Sequence, residues 1–134
     1  MQVQTFLILY GLSVPIFIMM DLLWLGVVAK DFYQGKLGPL MGEINWIAAI
    51  IFYAVFLSGL TFFATYPAAT KGTLATALVL GALFGFFTYA TYDLTNLATL
   101  RSWPLSVTIV DIIWGAFLGG FVAVSAVAIK NFVI

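Results

Sequence analysis

Four long apolar stretches constrain the fold of this chain more than any other feature of its sequence. Each contains the roughly 20 residues that an α-helix needs to cross the hydrocarbon core of a bilayer. Hydrophobic side chains make up 64% of the chain and charged ones only 7%, which leaves too few polar groups to cover a water-soluble surface. We therefore predict an all-α, integral membrane four-helix bundle with short loops, formed by residues 1–134 as a single domain. The predicted spans are approximately residues 5–29, 44–66, 73–100 and 105–129.

The charge and residue composition exclude several classes of function. Five basic and five acidic residues give a formal net charge of zero, whereas nucleic-acid binding requires a basic surface. Cysteine and histidine are both absent, so the chain has no disulfide, no thiol nucleophile and no imidazole metal ligand. We predict no nucleic-acid partner, no cofactor and no bound metal.

The even number of spans places both termini on one side of the membrane. The segment Lys30–Glu43 and the turn Arg101–Pro104 then lie on the other side, which we call the loop side. The first stretch lacks a basic segment before it and exceeds the apolar part of a signal peptide in length, so we interpret it as a retained helix. Three basic residues on the loop side against two opposite favour a cytoplasmic loop side, but one charge is too small a difference to fix the orientation.

Three aspartates within the spans are the most informative polar residues. They are Asp21, Asp93 and Asp111. An acid at the centre of a membrane helix costs on the order of 2.5–3.5 kcal/mol on insertion scales and is tolerated mainly where it faces protein or water. With a rise of 1.5 Å per residue, each lies roughly 10–14 Å from the loop-side boundary of its span. The sequence therefore predicts that three helices contribute carboxyl groups to one layer of the bundle.

Further polar and aromatic residues are expected around this carboxyl layer. Tyr89 and Asn96 are the i−4 and i+3 neighbours of Asp93 and share its helix face. The nearby threonines have an alternative structural interpretation, because threonine hydroxyls often bond back to their own helix. We predict that Asp93 is the centre of the site and that the three carboxyls do not all ionise together. The candidate ligand- or proton-binding residues are Asp21, Trp24, Asn45, Tyr53, Tyr89, Tyr92, Asp93, Thr95, Asn96, Asp111 and Trp114.

Two pairs of glycines predict where the third and fourth spans approach each other. Gly81 and Gly85, and likewise Gly115 and Gly119, have the spacing that lets membrane helices pack closely. Such a contact would bring the aspartates of these two helices together.

Three blocks of sequence carry a family resemblance. They are Asp21–Gly26 (DLLWLG), Thr91–Thr99 (TYDLTNLAT) and Asp111–Gly115 (DIIWG), and Tyr33 and Trp103–Pro104 accompany them. Together they resemble an uncharacterised family of small bacterial membrane proteins that is known only as a domain of unknown function. The resemblance extends over essentially the whole chain. It implies a four-helix, multi-pass protein of the bacterial inner (cytoplasmic) membrane and marks the three aspartates and Asn96 as signature positions, but it implies no activity.

Three classes of function remain open. The favoured hypothesis is proton- or cation-linked transport or binding of a small or amphiphilic ligand at the carboxyl layer. The second is a structural or accessory membrane subunit whose buried acids pair with neighbouring donors. The third is a lipid- or isoprenoid-modifying membrane enzyme that uses one carboxyl as acid and another as base, so whether the chain is an enzyme stays open. The expected partners are membrane lipids and further copies of the chain, in a homodimer or a larger membrane complex.

Overall fold

The computed structural model describes residues 1–134 and contains helices but no β-strand. Four helices are long and apolar enough to cross a membrane, with mean hydropathies between 1.7 and 2.2 in their most apolar parts. A short helix connects the first of them to the second. We name these helices, in chain order, α1 (Val3–Val28), α2 (Lys30–Leu37), α3 (Trp46–Lys71), α4 (Leu74–Thr99) and α5 (Leu105–Val133). The predicted all-α membrane bundle is confirmed.

The starts of the second and third membrane helices are fixed by side-chain caps. Asn45 precedes α3, and its side-chain oxygen accepts a hydrogen bond from the backbone N–H of Ala48. Thr73 precedes α4 and forms a reciprocal capping box with Thr76. Such caps satisfy backbone N–H groups that have no partner within the first turn of a helix.

Helix α5 is the central element of the bundle. In its most apolar stretch 50% of the residues are buried, against 22–28% in the other three membrane helices. The most extensive helix contact joins α4 to α5, and α1 packs on another side of α5. The surfaces of α1, α3 and α4 that face away from α5 are exposed and apolar, as expected where lipid is the solvent.

Glycines make the contact between α4 and α5 close. A Cβ atom added at Gly85 would fall on the backbone carbonyl of Gly115, and one added at Gly119 would fall on that of Gly81. The two backbones therefore touch directly, which only residues without a side chain permit.

Two membrane helices contain a π-helical turn, at Trp24–Val28 in α1 and at Thr61–Thr65 in α3. The second turn lets α3 continue to Lys71, whereas the sequence predicts that this span ends near residue 66. Proline lacks a backbone N–H and interrupts the hydrogen bonds of a helix interior. Pro67 is tolerated because it stands at the beginning of the α-helical segment that follows the π turn.

The connection Lys30–Glu43 is more ordered than the loop expected from the sequence. It contains α2 and a 3-10 turn at Gly38–Leu40. Tyr33 of α2 is buried in a small cluster with Ala29 and Val107. This contact holds α2 across the end of the bundle, so the connection forms part of the folded core at the loop side.

The arrangement of the termini can be tested by cysteine labelling, since the native chain has no cysteine. Lys36 and Lys71 are both exposed and lie at opposite ends of the membrane helices. We expect Lys36→Cys and Lys71→Cys to react with a membrane-impermeant maleimide from opposite faces of intact membrane vesicles. The native chain, which has no cysteine, is the control and should not react. Reaction of both variants from the same face would contradict a fold with four membrane crossings.

Candidate functional site

A cavity of about 490 Å³ lies at the loop side of the bundle. It forms because the first turns of α3 stand apart from the other helices, while the later part of α3, around Thr61–Thr65, packs against α1, α4 and α5. Residues from all four membrane helices line the cavity, and Tyr33, Leu37 and Met41 from the connection after α1 close its end. Its volume is within the range of sites that bind small molecules.

The wall of the cavity is mostly aromatic. Phe52 and Tyr53 come from α3, and the Trp24 and Trp114 rings stack with their centroids 4.4 Å apart and their planes 6° from parallel. This stack joins α1 to α5 beside the cavity, and each indole ring covers only one face of the other. The aromatic residues that line the cavity are Trp24, Tyr33, Phe52, Tyr53, Tyr89, Tyr92, Trp103 and Trp114.

Two carboxyl groups, those of Asp21 and Asp111, interrupt this aromatic wall. The hydroxyl of Tyr53 donates a hydrogen bond of 2.9 Å to Asp21. The hydroxyl of Tyr33 donates one to Asp111 and accepts one of 3.1 Å from the indole nitrogen of Trp24. Each cavity carboxyl therefore has a tyrosine donor from a different helix, an arrangement that stabilises its charged form.

Tyr33 keeps its proton and so remains a donor. It lies in α2, outside the membrane-spanning helices. Burial raises the pKa of the Tyr33 phenol above its ordinary value, and its hydrogen bond to Asp111 acts in the same direction. The phenol is therefore protonated throughout the physiological range of pH, and the hydrogen bond to Asp111 persists there.

Asp93 lies beside Asp111 but behind the cavity wall. It is 0% exposed and neither of its carboxyl oxygens has a hydrogen-bond partner. The close packing of α4 on α5 brings it next to Asp111. The indole nitrogen of Trp114 is also buried, and the carboxyl of Asp21 is the acceptor that lies near it. Buried polar groups are rarely left without partners, and those that are call for an explanation.

The structure brings most of the candidate residues together and separates the rest from the cavity. Asn45 is exposed and serves as a helix cap, and Thr95 is exposed and donates its hydroxyl to the carbonyl of Thr91. Asn96 is half-buried near Tyr92 and does not line the cavity. The candidates that line it are Asp21, Trp24, Tyr53, Tyr89, Tyr92, Asp111 and Trp114.

The sequence analysis did not include Tyr33 or Trp103 among the site residues. Tyr33 falls in a polar connection of too few residues to show a helical pattern, and its one signal was its place among the residues that carry the family resemblance. Trp103 precedes α5 at the membrane boundary, where tryptophan is common for other reasons. Its indole nitrogen donates to Thr108, and its ring lines the cavity.

The fold and the cavity define a class: a polytopic α-helical membrane protein whose crossing helices enclose an aromatic cavity with two carboxyl groups. Residues 6–128 match the model of the family described as "Predicted membrane protein (DUF2177)". The chain belongs to this family, a domain of unknown function, which confirms the resemblance found in the sequence. No curated protein and no solved structure matches the chain.

Proposed function

We propose that this chain acts in the bacterial inner membrane, where it binds or transports a small or amphiphilic ligand in the cavity and couples this to the binding of protons. One observation carries the proposal: Asp21 and Asp111 line a cavity whose wall is mostly aromatic, and no lysine or arginine lines it. Acidic residues in membrane helices are expensive to insert and mark sites of ions, protons or ligands.

The three carboxyl groups have different surroundings, which suits them to different roles in this proposal. Asp21 and Asp111 each accept a hydrogen bond from a tyrosine, so each can hold a negative charge. Asp93 has no donor and no contact with the cavity, so it is suited to hold a proton next to Asp111. A proton lost or gained by the cavity acids would change the charge that a ligand meets.

The alternative of a purely structural subunit fits the observed contacts less well. In that interpretation the buried acids are expected to be paired with donors, as Asp21 and Asp111 are with Tyr53 and Tyr33. Asp93 has no such donor: its neighbour is the carboxyl of Asp111, with which it can form a hydrogen bond only if one of the two acids holds a proton. No observed contact favours the third hypothesis, a lipid-modifying enzyme. The homodimer expected from the sequence remains a prediction.

Asp111→Asn tests the link between ligand and proton. Phenyltrimethylammonium, tert-butylbenzene and benzenesulfonate are probes of one size class whose charges do not change with pH. We expect at least one to bind purified protein with an affinity that changes by up to about tenfold per pH unit for each coupled proton. In Asp111→Asn this pH dependence should weaken or vanish, because one ionisable cavity group is gone.

Asp31→Asn is the matched control, because Asp31 is exposed in α2 and does not line the cavity. It should bind the probes as the native chain does. Binding that does not depend on pH in the native chain, or an unchanged dependence in both Asp111→Asn and Asp21→Asn, would contradict proton-linked binding.

A further inference from the structure

Two acidic side chains and no basic side chain line the cavity. The basic side chains nearest in sequence to its walls, Lys30, Lys36 and Arg101, are all exposed. None of them, and neither of the other two lysines, lines the cavity. Asp21 and Asp111 must therefore either keep their protons or have their charge balanced by the ligand, since no side chain of the chain itself does so.

The aromatic rings favour one kind of balancing charge. Tryptophan and tyrosine faces attract cations through the ring quadrupole, and quaternary ammonium groups are recognised in this way. Small inorganic cations prefer a shell of several oxygen ligands, among them carboxylates, and the structure holds no group of three acidic side chains that could bind a metal ion. An anion would meet two carboxyls and no basic group, and a neutral apolar molecule would leave both carboxyls without a counterion.

The indole N–H of Trp114 supports the same charge state. Trp114 is only 9% exposed, it lines the cavity, and its nitrogen lies near Asp21. When Asp21 is ionised, this N–H can serve as a second donor to it beside the hydroxyl of Tyr53. Two donors, the Tyr53 hydroxyl and the Trp114 indole, therefore favour the charged form of Asp21 when a cation occupies the cavity.

We propose that the ligand of this cavity is a monovalent organic cation with apolar substituents, such as a substituted ammonium, held by Asp21 and Asp111 between the aromatic side chains. This inference rests on the proposed function and specifies its ligand class. A cavity of about 490 Å³ is large enough for an ammonium group with an aromatic or short alkyl substituent.

The cation then competes with protons for the two cavity acids, and a monovalent cation replaces at least one proton. The titratable groups facing them are Tyr33 from α2, Tyr53 from α3, Tyr89, Tyr92 and Asp93 from α4. Occupation by the cation releases protons, so its affinity rises with pH, by up to about tenfold per unit for each proton released. A neutral probe of the same shape should show the opposite trend, because it prefers the uncharged wall.

The experiment compares phenyltrimethylammonium with tert-butylbenzene, which has the same shape without the charge, and with benzenesulfonate. Quenching of tryptophan fluorescence reports binding, since Trp24, Trp103 and Trp114 line the cavity. All measurements use a Trp46→Phe background, because Trp46 is 64% exposed and lies outside the cavity. Calorimetry in two buffers of different ionisation enthalpy counts the protons released.

At alkaline pH we expect the cation to bind at least about tenfold more tightly than its neutral counterpart, because the cation gains a cation–π contact in a desolvated site, and we expect the anion not to bind. Asp21→Asn should remove most of this preference, and Asp31→Asn should retain it. If Asp21→Asn does not fold, Tyr53→Phe tests the same carboxyl: it should move the pH dependence of cation binding to higher pH, because the charged form loses a donor.

The outcomes separate this inference from the proposed function. If the neutral probe or the anion binds as tightly as the cation at alkaline pH, or more tightly, the ligand is not an organic cation. Proton-linked binding would still hold if the affinity of that probe depends on pH and on Asp111. If the cation binds without releasing a proton, it does not compete with protons for the two acids, which contradicts this inference. Failure of all three probes to bind overturns both proposals.

Discussion

Leucine in place of Gly85 is expected to lower the free energy of unfolding by about 3 kcal/mol and to separate α4 from α5. The position has no room for a side chain, since its Cβ would coincide with the carbonyl group of Gly115. A backbone carbonyl cannot rotate away as a flexible side chain can, so one of the two helices must move. Thermal unfolding in detergent, followed by circular dichroism and gel filtration, measures the effect.

Gly11→Leu is the matched control for this variant. Gly11 lies in α1, is exposed, and has no atom within 4 Å of an added Cβ. The same substitution there should leave the melting temperature nearly unchanged. Equal melting temperatures for the two variants would show that α4 and α5 do not meet at their glycines.

Loss of the α4–α5 contact should also remove the cavity. Gly115 packs against the ring of Tyr89, which lies one turn beyond Gly85 in α4. Helices held apart at Gly85 would withdraw Tyr89 from the wall that Asp111 and Trp114 share with it. We therefore expect Gly85→Leu to lose probe binding even under conditions where it remains folded.

Asp93→Asn is expected to abolish a protonated-carboxyl infrared band that the native protein shows at neutral pH. Burying an unpaired carboxylate in an apolar medium costs so much free energy that such a group keeps its proton instead. Asp93 meets this condition, because it is 0% exposed and both of its oxygens lack partners. An amide has nearly the same shape as a protonated acid, so the variant should still fold.

The exposed Asp31 again provides the control. Asp31→Asn should leave the protonated-carboxyl band unchanged, since this side chain is exposed in α2 and lies outside the buried carboxyl layer. If the native protein and Asp93→Asn show the same protonated-carboxyl bands, Asp93 is ionised at neutral pH. Its oxygens would then need a bound cation, which the proposed site does not include.

The membrane helices and the carboxyl layer could be predicted from the sequence because their causes are local. Length and hydropathy define a crossing helix, and the helical rise places Asp21 and Asp111 at similar depth. The glycine contact of α4 with α5 followed in the same way, from a spacing within each helix. These features need no knowledge of how the chain is arranged in space.

The cavity could not be predicted, because it depends on contacts between distant parts of the chain. It exists because the first turns of α3 diverge from the bundle, and no residue pattern within α3 indicates this. Tyr33 reaches Asp111 from a connection of only eight helical residues, too short for a clear periodicity. Asn45 and Thr95 were expected at the site on grounds of depth and polarity, whereas local hydrogen bonds with the backbone occupy both of them.

The π turn at Trp24–Val28 gives this segment a role that depends on the number of its residues more than on their identity. A π turn adds one residue to a helical turn, and each residue of a helix advances the rotation by about 100°. Whatever follows Val28 is thus rotated about the axis of α1, and Tyr33 with it. Gly26, Val27 and Val28 are exposed, so they tolerate exchange for other apolar residues. A single insertion or deletion in this segment would therefore turn Tyr33 away from Asp111, whereas such an exchange of side chains would leave its direction unchanged.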